Sequence, residues 1–368
     1  MFSLHLELRV TLYAGVLLVM AGVGILLARN LDRIGPLAMV LVIALAAVAC
    51  GVPALRAKLA GRALTVAGAL LALPAQAQQF INVLTGGTSG IYYPLGVSLT
   101  QIYGKAIPEA KSTVQATKAS AENLNLLQAG RGEIALTLGD ALSMAWKGDA
   151  EAGFKSPLDK LRGVSATYNN YIQIVASADS GIKSMADLKG KRISVGAPKS
   201  GTELNARAIL KAAGLGYGDF AKVEYLPFGE SVELIKNRQL DVTLQSAGLG
   251  VASIRDLATS VKIVVVPIPA EIVAKVGDAA YQSAMIPANT YQGQTADVPT
   301  AAIPNFLVSH EGVPADLVCK MAKSMYDNLD MMVAAHAAAK AIKRENAEKG
   351  MPLPLHPGAE KYYKSGSC

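Results

Sequence analysis

Cysteine, histidine and tryptophan are scarce in this sequence, at three, four and one among 368 residues. Each shortage removes a class of chemistry. There is no CxxC and no Cys/His cluster at metal-ligand spacing, so a zinc site or a thiol redox motif has no ligands. His310, His336 and His356 are the only histidines past residue 77, and no HExxH and no local motif makes any of them a catalytic base. Aromatic residues are only 5% of the chain and no basic face is concentrated anywhere, which leaves no stacking platform for nucleic acid. The formal net charge of +7 does not argue otherwise. Arg9, Arg29, Arg33, Arg56, Lys58 and Arg62 against Glu7 and Asp32 put +4 of it in the first 77 residues, leaving +3 for the rest.

Catalytic signatures are absent as well. Gly196-Ala-Pro-Lys-Ser-Gly201-Thr202-Glu203 has the glycine spacing of a P-loop, but Thr202 and Glu203 stand where Lys and Ser/Thr are required. Gly87-Thr88-Ser89-Gly90 lacks the spacing of a nucleophile elbow. Asp140 follows a predicted strand and Asp241 precedes one, where acids more often cap helices than catalyse. The expectation is a protein that is not an enzyme and needs no cofactor or metal.

What the chain does have, at its start, is long hydrophobic runs. Val10–Ala28 is long enough for one membrane-spanning helix, and Leu37–Leu55 is a second run interrupted by Pro53. A third run, Ala63–Leu73, is too short to span. Arg56, Lys58 and Arg62 precede it and Pro74-Ala75-Gln76-Ala77 follows it, the layout of a secretory signal peptide over residues 56–77 cleaved after Ala77. Residues 1–55 then have two accounts. They are a membrane hairpin, with basic residues on the cytoplasmic side, or the product of a start site placed too far upstream, translation beginning at Val52. Cys50, after Ala47-Val48-Ala49, makes only a weak lipobox.

Past Gln78 strands and helices alternate. Phe80–Thr85, Val114–Thr117, Ile134–Leu138, Tyr171–Ala176, Arg192–Val195 and Val242–Leu244 read as strands, with helices at Tyr92–Tyr103, Ala121–Ala129, Thr202–Ala213 and Val232–Asn237 between them. This spacing predicts α/β units around mainly parallel sheets. Ala301–Ile303 and Phe306–Ser309 read as two further strands, and from Pro314 onward the chain is helical and Ala-rich, as if returning to cover an earlier lobe. Cys319 and Cys368, in an exported domain, either pair or stay as free thiols; only geometry decides.

Three strand-to-helix loops share one chemistry: Gly86-Gly87-Thr88-Ser89-Gly90, Lys118-Ala119-Ser120 and Lys199-Ser200-Gly201-Thr202. Free backbone N–H groups and helix dipoles favour an anion at such places, and ligands of open α/β sheets collect outside the carboxyl ends of strands. Each loop also has a plainer reading. Ser200 and Glu203 form an S-x-x-E capping box, and Gly-rich turns serve backbone geometry.

At these loops the chain resembles the TAXI solute receptors of tripartite ATP-independent periplasmic (TRAP) transporters. The matching segments are Leu84-Thr-Gly-Gly-Thr-Ser-Gly-Ile-Tyr-Tyr-Pro-Leu-Gly96, Val114-Gln-Ala-Thr-Lys-Ala-Ser-Ala-Glu-Asn-Leu124, Asp187–Ala206 and Pro354–Tyr363, within a resemblance that runs over residues 79–364. It implies a type II periplasmic-binding-protein fold over 78–368, with two α/β lobes, two crossover strands and a ligand cleft. Lobe 1 is expected at about 78–170 and 271–368 and lobe 2 at about 171–270. It also implies a periplasmic receptor that hands a small solute, glutamate- or glutamine-like or another carboxylate, to TRAP membrane subunits driven by an ion gradient. Carried over residue by residue, the first-lobe contacts are Gly87, Thr88, Tyr92, Thr117, Ser120 and Asn123, with Asp140 nearby. Those of the second are Ser200, Gly201, Thr202 and Asn205, then Gln245, Ala247 and Gly248, with Tyr171 near the crossover. Relatives commonly carry glycine where this sequence has Lys118 and Lys199. The two lysines either snorkel to solvent at the rim or add point charges for an acidic ligand. The competing readings are a membrane-tethered sensor and an enzyme on the same fold.

Overall fold

Residues 79–368 are described by the computed structural model. The hydrophobic runs, the signal peptide, Cys50 and Val52 lie outside the described residues. Among the described residues no helix is long and apolar enough to cross a membrane.

The chain runs β1 (Gln79–Leu84), α1 (Tyr92–Ala106), β2 (Ala110–Gln115), α2 (Ser120–Gln128), β3 (Ile134–Leu138), α3 (Gly139–Lys147) and the long β4 (Leu161–Ser177). It continues through β5 (Arg192–Ser194), α4 (Gly201–Ala212), β6 (Lys222–Glu224), α5 (Phe228–Lys236), β7 (Val242–Ala247), α6 (Ala252–Ser260), β8 (Ile263–Val266), α7 (Ala270–Lys275) and β9 (Gln282–Ile286). The last part holds β10 (Val298–His310), α8 (Ala315–Asp327), α9 (Leu329–Ala335) and α10 (Pro357–Ser365).

These ten strands join in one hydrogen-bonded order, β2-β1-β3-β10-β4-β7-β5-β6, with β8 added to β4 and β9 to β10. The order contains one unit twice. β1 lies between β2 and β3, parallel to both, and β5 lies between β6 and β7, parallel to both. An antiparallel strand closes each unit, β10 beside β3 and β4 beside β7. Each unit is a lobe, and β4 and β10, paired antiparallel with each other, cross between them. The sequence of the inner strands suits this arrangement: β3 (Ile-Ala-Leu-Thr-Leu) and β7 (Val-Thr-Leu-Gln-Ser-Ala) are buried at every position, as strands covered by helices on both faces must be. Successive β1 and β10 side chains divide between two apolar clusters, Ile81, Val83 and Leu307 in one and Leu84, Phe306 and Val308 in the other.

Three sequence expectations change. The Tyr171–Ala176 strand is only the second half of β4, whose first half carries Gly163, Thr167 and Asn169 and so lacks an apolar signature. The two strands expected around Pro304 are one, β10, whose pairing with β4 shifts register between Pro304 and Phe306, where proline has no N–H to give. Residues 271–302, expected in the first lobe, belong with the second. β9 pairs with Val298–Ala302 of β10, Tyr281 bonds Asn205 of α4, and the Thr300 hydroxyl bonds the Ile172 carbonyl. The chain therefore returns to the first lobe along β10.

The open cysteine question closes as a Cys319–Cys368 disulfide, with Cα atoms 5.7 Å apart and 49 residues of separation. It ties the C-terminus to α8, whose Leu317, Val318, Met321, Ala322 and Met325 form a buried stripe at helical spacing. Closing a loop of this length contributes about 4 kcal/mol in the chain-entropy account.

Candidate ligand-binding site

The N-termini of five helices, from both lobes, meet at one cavity. Ile91 and Tyr92 begin α1, Ala119 and Ser120 begin α2, and Leu138 caps α3; from the other lobe come Ser200 and Thr202 of α4 and Pro227 and Phe228 of α5. The repeated strand order produces this convergence, because β1, β2, β3, β5 and β6 each lead into a helix that starts at the cleft. Each helix start carries a partial positive charge, worth about 0.3–1 kcal/mol to an anion and up to about 2 when partly buried. The cavity leaves about 100 Å³ in which the centre of a water molecule fits, room for a small organic molecule or several waters. Among the described residues Lys118 is the one charged group in its lining, and no carboxylate lines it.

The walls are held by a polar network. Thr117 Oγ1 lies 2.6 Å from Asn123 Oδ1 and 2.8 Å from the Thr85 carbonyl, and accepts the Ala119 N–H at 2.9 Å. Asn123 Nδ2 donates to the Thr85 and Leu136 carbonyls at 2.7 and 2.9 Å, fixing α2 to β1 and β3. Ser120 Oγ accepts the Leu138 N–H at 3.1 Å, and Ser200 Oγ accepts the Glu203 N–H at 3.1 Å. The Tyr92 hydroxyl donates to Asn305 Oδ1, while Asn305 Nδ2 donates to Asn170 Oδ1 and to the Tyr168 carbonyl. Burial raises the Tyr92 hydroxyl well above the usual phenol range, so it stays neutral.

The lobes also touch directly. Gly229 N–H donates to Ser89 Oγ at 3.1 Å, and Glu122 N–H to the Lys199 carbonyl at 3.2 Å. A Cβ at Gly201 would lie 2.5 Å from Leu138 Cδ1 and 2.6 Å from Ser120 Oγ, so only glycine lets α4 approach this closely. Away from the cavity, Asp140 on α3 accepts bonds from Asn205 Nδ2 (2.6 Å) and the Tyr281 hydroxyl (2.8 Å) of the other lobe. Burial pushes the Asp140 carboxyl up to about 6, against the bond from Tyr281 that pulls it down.

Of the residues expected at the site, Gly87, Tyr92, Thr117, Lys118, Ser120, Ser200, Thr202 and Ala247 line the cavity. The others lie elsewhere. Thr88 is exposed in its loop. Asn123 is buried behind Thr117, and Gln245 accepts a bond from Ser253 Oγ at 2.7 Å. Asp140, Asn205 and Gly201 serve contact between lobes. Gly248 packs against Ile91 and Tyr168 at the end of β7. Tyr171 faces a separate cleft with Asn169 and Lys340. Lys199 is exposed with φ +62°, a left-handed conformation that glycine adopts freely. The reading of Ser200 as a helix cap holds, but Glu203 does not complete the box, its carboxylate turning to Arg207 at 2.8 Å.

Sequence reasoning missed Tyr168, Asn170, Ser246 and Phe228 in the lining. The first three sit on β4 and β7, where they read as ordinary strand residues, and no Gly or Ser/Thr loop marks them. The two lysines are also not equivalent. Lys118→Ala is expected to weaken a carboxylate ligand about tenfold, and Lys199→Ala to leave affinity within about twofold. Calorimetry on both variants checks this; equal losses would contradict the placement.

Two lobes of repeated topology, bridged by paired crossover strands over a cleft, are the architecture of the type II periplasmic binding proteins. The chain matches the NMT1-like family over residues 83–365 and belongs to that family. Among solved structures it is similar to PhnD1 from Prochlorococcus marinus (MIT 9301) in complex with methylphosphonate, at 9% identity and TM-score 0.50, over 72% of this chain and 92% of that one. It is also similar to a putative L-cystine ABC transporter protein from Listeria monocytogenes, at 16% identity and TM-score 0.45 over 74% and 99%. A third is the alkanesulfonate-binding protein SsuA from Xanthomonas axonopodis pv. citri bound to MOPS, at 14% identity and TM-score 0.42 over 78% and 90%.

Proposed function

We propose that residues 78–368 form an exported receptor that binds a small anionic organic solute, an amino acid or carboxylate, between its lobes. It delivers the solute to the membrane subunits of an ion-gradient-driven TRAP transporter. The observation that carries the binding reading is the cavity itself: five helix N-termini and one lysine around a space that no carboxylate of the described residues lines. Bound solute favours the closed form by as much as it binds that form better than the open one. The TRAP assignment rests on the TAXI-like loop segments, and those loops supply cavity walls from both lobes. Export is supported by the signal-peptide pattern ending at Ala77 and by a disulfide, which persists in oxidising compartments.

The test is a thermal-shift screen of carboxylates, amino acids, phosphonates and sulfonates, with calorimetry on each hit. At least one anion is expected to bind with unit stoichiometry and to be recovered unchanged. Conversion of a hit into product would replace the receptor reading with an enzyme.

A further inference from the structure

The buried acid held between the lobes has one oxygen satisfied and one not. Asp140 Oδ2 accepts bonds from Asn205 Nδ2 at 2.6 Å and from the Tyr281 hydroxyl at 2.8 Å. Asp140 Oδ1 and the amide oxygen Asn205 Oδ1 are both buried and have no partner among the described residues. A carboxylate oxygen only accepts and an amide oxygen only accepts, so neither atom can satisfy the other while Asp140 is charged. One proton on Asp140 Oδ1 turns it into a donor. Asn205 Oδ1 is then an open acceptor on the group already bonded to it.

We propose that Asp140 and Asn205 form a proton-dependent latch between the lobes: closing takes up a proton onto Asp140, and acidification favours the closed form. The surroundings of the carboxyl agree. Tyr281 and Asp278 face it from the segment after α7, and Tyr92 faces it from α1. Burial and the Asp278 charge favour the neutral acid, while the bond from Tyr281 opposes them. On α4, Glu203 and Arg207 are paired with each other at 2.8 Å, and on α2 the Glu122 carboxylate accepts the Lys118 N–H at 2.5 Å. Strand β3 is Ile-Ala-Leu-Thr-Leu, and β10 sets Pro304 and Phe306 against Gly139, so neither brings a titratable group to the start of α3. With the lobes in contact the carboxyl stands at about 6, against an ordinary 3.8. Opening parts α3 from Asn205 and Tyr281, returns the group to water and lets the value fall back. The advantage of the closed form is therefore complete below about pH 4 and is lost as pH rises through about 6. That window corresponds to a change of about 100-fold in the closing equilibrium and, on the receptor reading, in solute affinity.

The lobes can be locked together without any solute. A Cβ at Gly229 would lie 3.7 Å from the Ser89 Cβ, a separation that a disulfide spans. Ser89→Cys combined with Gly229→Cys, in the exported protein, is expected to cross-link on oxidation. Carbon-13 NMR of the aspartate carboxyls then compares the locked protein with the parent, Asp140→Asn and Asp140→Ser giving two routes to identify the Asp140 signal. Asp140 is expected to titrate near pH 6 when locked and at least about one pH unit lower in the parent. An ordinary carboxylate midpoint in the locked protein would overturn the uptake of a proton. The same raised midpoint in both proteins would overturn the latch, because the carboxyl would not follow the lobes. Failure to cross-link, with both single variants folded, would remove the closed contact on which the latch depends. No solute is used, so each of these outcomes leaves the receptor reading standing.

Discussion

Gly201→Val is expected to leave the unliganded protein folded and to weaken solute binding by one to two orders of magnitude. The substituted α4 would start with a branched side chain where a Cβ alone lies 2.5 Å from Leu138 and 2.6 Å from Ser120. Overpacking of this kind costs about 1–3 kcal/mol, equivalent to roughly 5- to 150-fold in affinity. Both obstructing residues belong to the other lobe, so the penalty falls on closure and not on folding. Calorimetry with any hit from the screen, beside the melting temperature of the apo variant, separates the two. Affinity equal to the parent protein would mean that the bound form does not use this contact.

The second large effect is a pH dependence set by Asp140. Its carboxyl is raised by burial from 3.8 to about 6, so the folded protein holds a proton that the unfolded chain releases. The Tyr281 hydroxyl and the amides at the start of α3 pull the value back, and the Asp278 carboxylate adds to the rise. Stability from this group is complete below about pH 4 and is lost as pH rises from there through about 6, a change on the order of 3 kcal/mol. Asp140→Asn keeps an acceptor for Asn205 and Tyr281 without the charge. Its melting temperature is expected to lack this fall, and to equal or exceed that of the parent protein near neutral pH. Parallel profiles for the two proteins would show that Asp140 carries no such penalty.

Much of this architecture was legible in the sequence because short apolar runs of buried parallel strands alternate with helical patterns and are punctuated by Gly, Ser and Thr. The crossover strands were not. The first half of β4 places Tyr168 and Asn170 at the cavity wall and Thr167 and Asn169 in the separate cleft, so it has no apolar run, and Pro304 interrupts the pattern of β10 without ending the strand. At the site, loop chemistry identified which turns converge but not which way each side chain faces. Thr117 lines the cavity while Asn123, in the first turn of the helix that follows, is occupied with holding backbone. Gly201 looked like a ligand contact and is a clearance for the opposite lobe. Lys199 looked like a charge; its φ of +62° is a left-handed conformation that glycine adopts freely, so the position is set by backbone conformation. Ala119, before Ser120 in the other lobe, sits at φ +73°, so each lobe bends its chain backwards just ahead of a cleft helix.

Asn305 stands where β10 slips against β4, and the same side chain receives the Tyr92 hydroxyl and reaches Asn170, both at the cavity wall. The seam between the crossover strands and the solute chamber thus share a single amide. A solvatochromic label near Asn305 is therefore expected to report occupancy of the cavity.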